Sequence, residues 1–348
     1  MPGINIGVDL GTTSIVIYVE GKGVVVAEPS VAAYEVATGK LIAIGKRAYE
    51  MLGRNPSSIR VVKPLRNGVV SDFTATRHIL SYFLGRICRN MVFRPNIVVC
   101  VPSSVTNLEK RTILDLVTSS GAGKACIIEE PLAAALGAGL PSDRPVGTMV
   151  VDIGGGTTDV AVMTMGSISV SRSVKCAGNA FDESIIRQLR RERDLVIGER
   201  TAEEIKKKVG CACIREVELG MNVNGKSYLT GLPASIEVTS TEAFLAIRQN
   251  LETIAENVRG VLELTPPELA SDIFSSGIYL TGGGACLEGF DRMIEEKTGV
   301  KTFVADDPLN CVALGTGVAI GNMDILIDNG WVFKTRDEIG GFVSGEEE

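Results

Sequence analysis

The sequence predicts an α/β chain of two similar lobes, each with a mixed or parallel sheet and a functional site at the carboxyl ends of its strands. Three observations carry this. A strand–Asp–Gly–hydroxyl turn occurs twice, as Ile6-Gly7-Val8-Asp9-Leu10-Gly11-Thr12-Thr13 and as Val150-Val151-Asp152-Ile153-Gly154-Gly155-Gly156-Thr157-Thr158-Asp159. Strand and helix patterns alternate after each copy. The 348 residues suit two domains, and a hydrophobic fraction of 45% with only 5% aromatics favours an α/β chain over a β-sandwich.

The elements follow in order. Residues 4–9 and 15–19 read as strands around the first turn, and 22–34 continue the β pattern through Val24-Val25-Val26. Residues 74–90 have helical spacing in Ile79, Phe83 and Ile87. Arg94-Pro95 leads into an apolar strand at 97–101, closed by Pro102. A helix over 108–119 stops at Gly121-Ala122-Gly123, and a short strand at 125–128 meets Glu129-Glu130-Pro131. Pro131 suits the first turn of an alanine-rich helix over 132–139. A turn-rich stretch, 140–147, ends the first half. In the second half, 181–194 and 201–209 read as helices, the latter with a capping-box-like Thr201-x-x-Glu204. The strand 278–280 runs into Gly282-Gly283-Gly284, and Phe303-Val304-Ala305-Asp306-Asp307-Pro308 reads as a strand entering a turn.

Composition also excludes functions. The formal net charge of −7 argues against a general nucleic-acid binder, because phosphate contact needs a basic face. The eight cysteines are scattered, several within apolar runs, and a chain of this size without a signal peptide reads as reduced and cytosolic. Cys211-Ala212-Cys213 is not a zinc spacing. His78 is the sole histidine and its helical setting reads as structural or surface, which argues against a histidine-based triad or metal site. No apolar stretch reaches the roughly 20 residues that span a bilayer.

The chemistry lies in the turns. Glycine lets backbone N–H groups close on phosphate oxygens, Thr and Ser hydroxyls add donors, and an aspartate at a strand end can hold Mg²⁺, usually through water. Either turn alone reads equally as a strand ending. The pair, with the third glycine turn Gly282-Gly283-Gly284 at another strand end, reads as two grips on one polyphosphate and a close approach for a base or ribose. Neither the Walker loop nor the Rossmann fingerprint occurs.

These turns resemble those of the actin-like ATPase superfamily, and the wider blocks resemble its MreB family of bacterial shape-determining actin homologues. The blocks are Glu129-Glu130-Pro131-Leu132-Ala133-Ala134-Ala135, the run from Gly198 to Lys206, Leu229-Thr230-Gly231-Leu232-Pro233, Thr265-Pro266-Pro267-Glu268-Leu269-Ala270 and, most specific, the run from Asp307 to Gly317. The resemblance covers about residues 4 to 320. It implies the actin-like fold: two duplicated lobes around a nucleotide cleft, each with a smaller subdomain. Lobe I would comprise 1–140 with about 315–341 (small subdomain about 33–64), and lobe II 141–314 (small subdomain about 182–243), before an acidic tail at 342–348.

It further implies ATP and Mg²⁺ in the cleft. Asp9 and Asp152 would face the metal, and Gly11, Thr12, Thr13, Gly154, Gly155, Gly156 and Thr157 would line the phosphates. Glu203 and Lys206 would meet ribose and adenine, opposite Gly282, Gly283 and Gly284. Glu130, aided by Thr158, would orient the attacking water, with Glu129 a solvated neighbour. The family commonly has Ala-Asn where Thr13-Ser14 stands here, which is closer to the chaperone ATPases of the superfamily. Lys207 and Lys208 follow Lys206 where the family often has a mixed pair.

The function so implied is that of an ATP-dependent, filament-forming cytoskeletal protein. It would be cytoplasmic and membrane-associated, organising cell shape and wall synthesis with membrane-protein partners, its slow ATP hydrolysis linked to polymer turnover. There is no room before Ile4 for an amphipathic membrane helix. The apolar Met91-Val92-Phe93, among Arg86, Arg89 and Arg94, instead suits an anionic lipid surface; the same residues read otherwise as a helix end packed under a strand. A chaperone-type ATPase is the alternative, but it needs a substrate domain after its ATPase half, and the chain stops just past the last lobe. A sugar or acetate kinase on the same fold would need a second substrate pocket, which is not legible.

Overall fold

The computed structural model describes residues 4–89, 93–141, 144–321 and 334–335. Its frame is a pair of sheets on one plan. The first orders its strands Lys334–Thr335, Lys124–Glu129, Asn96–Val101, Asn5–Leu10, Ser14–Val19 and Gly23–Pro29. The second orders them Thr302–Val304, Ile278–Thr281, Thr148–Ile153, Thr158–Thr164 and Ser167–Val174. In each, the Asp-bearing strand is central, parallel to its neighbour on one side and antiparallel to its hairpin partner on the other. Leaving aside the edge pair Lys334–Thr335, the sheets match strand for strand in order and direction. This duplicated α/β architecture is the predicted one.

The central strands are near-continuous apolar runs because both their faces are covered; every residue of Thr148–Ile153 is buried. Helices Phe73–Ile87 and Asn107–Ser119 close one face of the first sheet, contributing Ile79, Leu80, Leu114 and Val117 to its core. Helices Gly178–Glu192 and Ser240–Leu264 do the same for the second through Phe181, Ile185, Ile247 and Val258.

Between the sheets run helices Glu130–Gly137 and Cys311–Gly321, and small residues set how closely they cross. A β-carbon on Gly315 would stand 1.7 Å from the Ala133 carbonyl oxygen, and one on Gly137 would stand 1.8 Å from that of Cys311. One apolar cluster passes through this crossing, joining Val98 and Ile128 of the first sheet to Val150 and Met163 of the second. Each sheet carries a smaller one at the mouth of the cleft. The strands Leu41–Ile44, Ala32–Glu35 and Ile59–Val62 form one, with helix Lys46–Met51. Leu195–Val196, Gly220–Ser227 and Pro233–Thr239 form the other, beside helix Glu199–Val209.

Two local expectations are corrected. The β run over 22–34 breaks after Pro29, so Gly23–Pro29 stays on the large sheet and Ala32–Glu35 begins the small one; proline ends ladder pairing. The helix expected from 201 starts at Glu199 behind Gly198, which has no side-chain cap, so Thr201 and Glu204 lie inside it and form no box. True capping boxes stand at Thr106 with Glu109 and at Thr239 with Glu242. The eight cysteines are free thiols. The Tyr34 hydroxyl lies 3.0 Å from His78 Nδ1, giving that histidine a structural contact. Among the described residues no helix is long and apolar enough to cross a membrane.

Candidate active site

The two Asp turns face each other across the floor of the cleft. Backbone carbonyls behind each turn are taken: the Ser30 hydroxyl donates to the Gly11 carbonyl at 2.9 Å, and the N–H groups of Gly178 and Asn179 donate to the carbonyls of Gly154 and Gly155 at 3.1 and 2.8 Å. In a planar trans peptide C=O and N–H point oppositely, so the N–H groups of Thr12, Gly155 and Gly156 are directed the other way, as an anion-binding nest requires. The fit between the turns is tight. A β-carbon on Gly156 would lie 2.5 Å from Thr12 Oγ1, and one on Gly155 would overlap Thr13 Oγ1. Thr12 also accepts the Gly68 N–H at 2.9 Å.

Four carboxylates gather beneath the turns. Asp9 and Asp152 end equivalent strands. Asp152 is buried and accepts the Thr281 hydroxyl at 2.8 Å, while Asp9 accepts the Cys100 thiol at 3.4 Å. Desolvation raises Asp9 to about 6 and Asp152 to about 7, against relief from those same hydrogen bonds. Glu130 opens its helix buried, and its carboxyl is pushed well above the usual range, first by desolvation and then by the charges of Asp159, Asp152 and Asp9. Asp159 is 1% exposed and is itself raised by desolvation, although the Ser103 N–H donates to its Oδ1 at 3.1 Å. Its Oδ2 has no donor in hydrogen-bonding geometry, though the nearby hydroxyls of Ser173 and Thr157 favour its charged form.

Buried carboxylates starved of positive charge fit a cation. Ligand atoms of Asp9, Cys100 and Glu130 lie within 4.8 Å of one another. The oxygen donors suit a hard ion such as Mg²⁺; the thiol does not, and burial among these acids holds Cys100 well above its ordinary range, protonated.

On the far wall, Gly282 takes a left-handed φ of 79°, and a β-carbon there would lie 2.9 Å from Asp152 Oδ1. A β-carbon on Gly284 would collide with Ile153 Cγ2 at 2.2 Å, while Gly283 is exposed. Lys206 ion-pairs with Asp182 at 2.8 Å and donates to the Gly178 carbonyl at 3.0 Å, which ties its helix to the second turn. Glu203 is half-buried, ion-paired with Lys207 at 2.6 Å, and accepts the Tyr49 hydroxyl from the opposite side of the cleft.

Two expected roles do not match the geometry. Thr158 is fully buried, and its hydroxyl donates to the Cys176 carbonyl at 2.7 Å, so it is not free for a water in the cleft. Strand alternation turns Asp159 to the other face from Thr158, and the Thr157 hydroxyl, just before the strand, lies beside Asp159. Glu129 is not simply solvated: it pairs at 3.3 Å with Lys110, whose side chain is 8% exposed. Met91 and Val92 lie outside the described residues, and Phe93, at their edge, is exposed. Asp159, Ser103, Asp182, Tyr49 and the Asn67-Gly68 turn were not anticipated; for Asn67-Gly68 a signal existed, since Asn-Gly between two short segments, here Leu65-Arg66 and Val69-Val70, marks a tight hairpin.

The chain matches the family described as MreB/Mbl protein over residues 3–328. It is 43% identical over 323 residues to the cell shape-determining protein Mbl of Bacillus cereus, covering 92% of this chain and 97% of that one. To the cell shape-determining protein MreB of Escherichia coli K12 it is 42% identical over 331 residues, covering 92% and 94%. Among solved structures, MreB5 of Spiroplasma citri bound to ADP superposes with a TM-score of 0.90 at 39% identity, covering 94% of this chain and 99% of that one. The same protein bound to AMPPNP gives 0.88 at 38%, covering 95% and 99%. With the duplicated sheets, the facing Asp turns and this similarity along nearly its whole length, the chain belongs to the MreB/Mbl family and has the actin-like fold.

Proposed function

We propose that this chain is an ATP-dependent cytoskeletal ATPase that binds ATP with Mg²⁺ between its lobes, polymerises in that state and organises cell shape from the inner face of the cytoplasmic membrane. The observation that carries the reading is the meeting of two phosphate-type turns above four carboxylates, Asp152, Asp159 and Glu130 buried and Asp9 half-buried. That the similar MreB5 is bound to ADP and to AMPPNP supports nucleotide binding by this chain. The lobes follow the boundaries given above, so the crossing of Glu130–Gly137 with Cys311–Gly321 lies between them.

In this reading Gly11, Thr12, Thr13, Gly154, Gly155, Gly156 and Thr157 hold the phosphates through N–H and hydroxyl donors. Asp9 and Asp152 hold Mg²⁺, which when bound neutralises phosphate charge. Gly282, Gly283 and Gly284 let the adenosine approach the backbone closely, and Glu203 and Lys206 face it from their helix. Glu130 orients the attacking water and takes its proton. Burial and its acidic neighbours make Glu130 more basic than an ordinary carboxylate, which suits a proton acceptor near neutral pH. In phosphoryl transfer, positioning and charge stabilisation supply most of the acceleration, so one such carboxylate suffices. Thr157, whose hydroxyl lies beside Asp159, replaces Thr158 in this role.

Self-association is the expected partner interaction, with the membrane surface and shape-determining, wall-synthesis membrane proteins as further partners. Exposed Phe93, with Met91 and Val92, is the proposed lipid contact. The deciding experiment is sedimentation with electron microscopy on anionic liposomes, with ATP–Mg²⁺, with ADP–Mg²⁺ and without nucleotide. ATP-dependent filaments on lipid are expected. A chain that stays monomeric at high concentration with ATP would overturn the polymer reading, and unchanged lipid binding in Met91→Ser/Phe93→Ser would overturn the loop.

A further inference from the structure

The mouth of the cleft is bridged from one small sheet to the other by side chains that phosphate chemistry does not require. The Tyr49 hydroxyl, on helix Lys46–Met51, donates to Glu203 Oε2 on helix Glu199–Val209. The Arg200 guanidinium lies over the Tyr49 ring, 5.4 Å from its centroid, and donates to the Glu50 carbonyl at 3.1 Å. Lys63 Nζ and Glu199 Oε2 are 2.5 Å apart. All three contacts join residues more than 130 positions apart in sequence.

We propose that Tyr49 is a positioning residue of the nucleotide site supplied by the opposite lobe, and that Tyr49–Glu203, Arg200–Glu50 and Lys63–Glu199 form a latch that sets how long nucleotide stays bound. The proposal rests on the reading that nucleotide occupies this cleft with its ribose at Glu203.

The argument is geometric. The two Glu203 oxygens are held from two directions, Oε1 by Lys207 and Oε2 by Tyr49. That fixes the carboxylate in one rotamer before a ribose arrives, removing an ordering step from binding. Burial alone would push Glu203 up, but hydrogen bonds from Lys207 and Tyr49 outweigh it and keep the carboxyl below its usual range, charged and accepting. A ribose hydroxyl reaching Glu203 therefore meets a prepared acceptor. Because Tyr49 and Glu203 stand on helices beside different small sheets, nucleotide passing between them must part this contact, and Arg200 and Lys63 hold the same gap from either side. Both Tyr49 and Arg200 are half-buried, so water weakens their contacts less than it does those of a fully exposed pair.

The test is stopped-flow release of a fluorescent ATP analogue with Mg²⁺ from the full chain, with thermal melting of each variant alongside. Tyr49→Phe keeps the ring beneath Arg200 and removes only the hydroxyl. Its release should quicken on the order of tenfold, the range expected for a hydrogen bond to a charged group, with a melting temperature close to the parent's. Lys63→Glu should also speed release, and the exchanged pair Lys63→Glu/Glu199→Lys should return it towards the parent rate, which a mere loss of packing would not do. Binding by the parent with unchanged release from Tyr49→Phe and Lys63→Glu overturns the latch alone. Absence of saturable binding by the parent overturns the latch together with the nucleotide reading beneath it.

Discussion

The hydroxyl oxygen of Thr13 lies 1.7 Å from where a β-carbon on Gly155 would stand, and the Thr13 β-carbon lies 2.8 Å from it. The two Asp turns thus touch across the cleft at a place that admits glycine on one side and a hydroxyl residue on the other. Gly155→Ala should force them apart and weaken ATP–Mg²⁺ binding roughly tenfold or more, since misplacing several phosphate donors removes well over the ~1.4 kcal/mol that tenfold represents. Thr13→Ser/Gly155→Ala keeps the clashing oxygen and should not recover, whereas Thr13→Gly/Gly155→Ala should recover in part. Titration with a fluorescent ATP analogue reads all of these.

Glu130→Gln keeps the side chain's size and removes its basicity. Phosphate release should fall roughly a hundredfold, the usual scale for a lost general base, while nucleotide affinity changes little. Single-turnover phosphate release beside a binding titration separates the two. An unchanged release rate would place the water-orienting role elsewhere.

After desolvation, the charge of Asp159 does most to raise Glu130. Asp159→Asn removes it and should lower the Glu130 pKa, so the acid limb of the pH–rate profile moves to lower pH. Asparagine can still accept the Ser103 N–H at the same atom, so the fold should stay intact. A profile that does not move would mean the two carboxylates act independently.

Much of this site was legible in the sequence because its parts are local. Asp9, Gly11, Thr12 and Thr13 fall within a few residues, as do Asp152 to Thr157, and a strand followed by a tight turn fixes where such neighbours point. Pro131 likewise announced the helix that carries Glu130. What escaped depends on contacts distant in sequence. Tyr49 meets Glu203 across 154 positions and Ser103 meets Asp159 across 56, so no spacing foretells either pair. Thr158 was misjudged for a finer reason. Successive residues of a strand face opposite sides, and whether Thr158 faces the cleft depends on the pairing of Thr158–Thr164 with Thr148–Ile153 and Ser167–Val174. Glu129, at the end of strand Lys124–Glu129, was misjudged because its partner Lys110 lies on helix Asn107–Ser119.

Helices Glu130–Gly137 and Cys311–Gly321 approach closely enough that Gly315 touches the Ala133 backbone. Gly315→Ala places a β-carbon against a carbonyl oxygen that cannot rotate aside. Overpacking of this kind costs about 1–3 kcal/mol, and because the obstacle is backbone the upper part of the range is expected. Urea denaturation should report the loss. Displacing the helix also displaces Glu130 at its start, so phosphate release should fall further than the loss of folded protein explains.

The raised carboxyls make the stability of the nucleotide-free protein depend on pH in a stated direction. Asp9 at about 6 and Asp152 at about 7 hold protons in the folded state that an unfolded chain, near 3.8, has already released. Between about pH 4 and 7 the folded state therefore binds more protons, and linkage requires stability to fall as pH rises through that window. The penalty is absent below the unfolded value and complete above about 7. For the buried Asp152 it is on the order of 4 kcal/mol, at about 1.36 kcal/mol per unit. Melting in the presence of a chelator should accordingly be higher at pH 5 than at pH 8. Asp152→Asn should flatten that slope and raise the pH 8 value, because the uncompensated charge is gone while Thr281 can still donate to the amide oxygen. Adding ATP–Mg²⁺ should stabilise the parent most at pH 8, where the carboxylates are ionised and the cation offsets them, and should stabilise Asp152→Asn less. A nucleotide-free protein that melts equally at both pH values would show that these carboxyls are not desolvated as the fold requires.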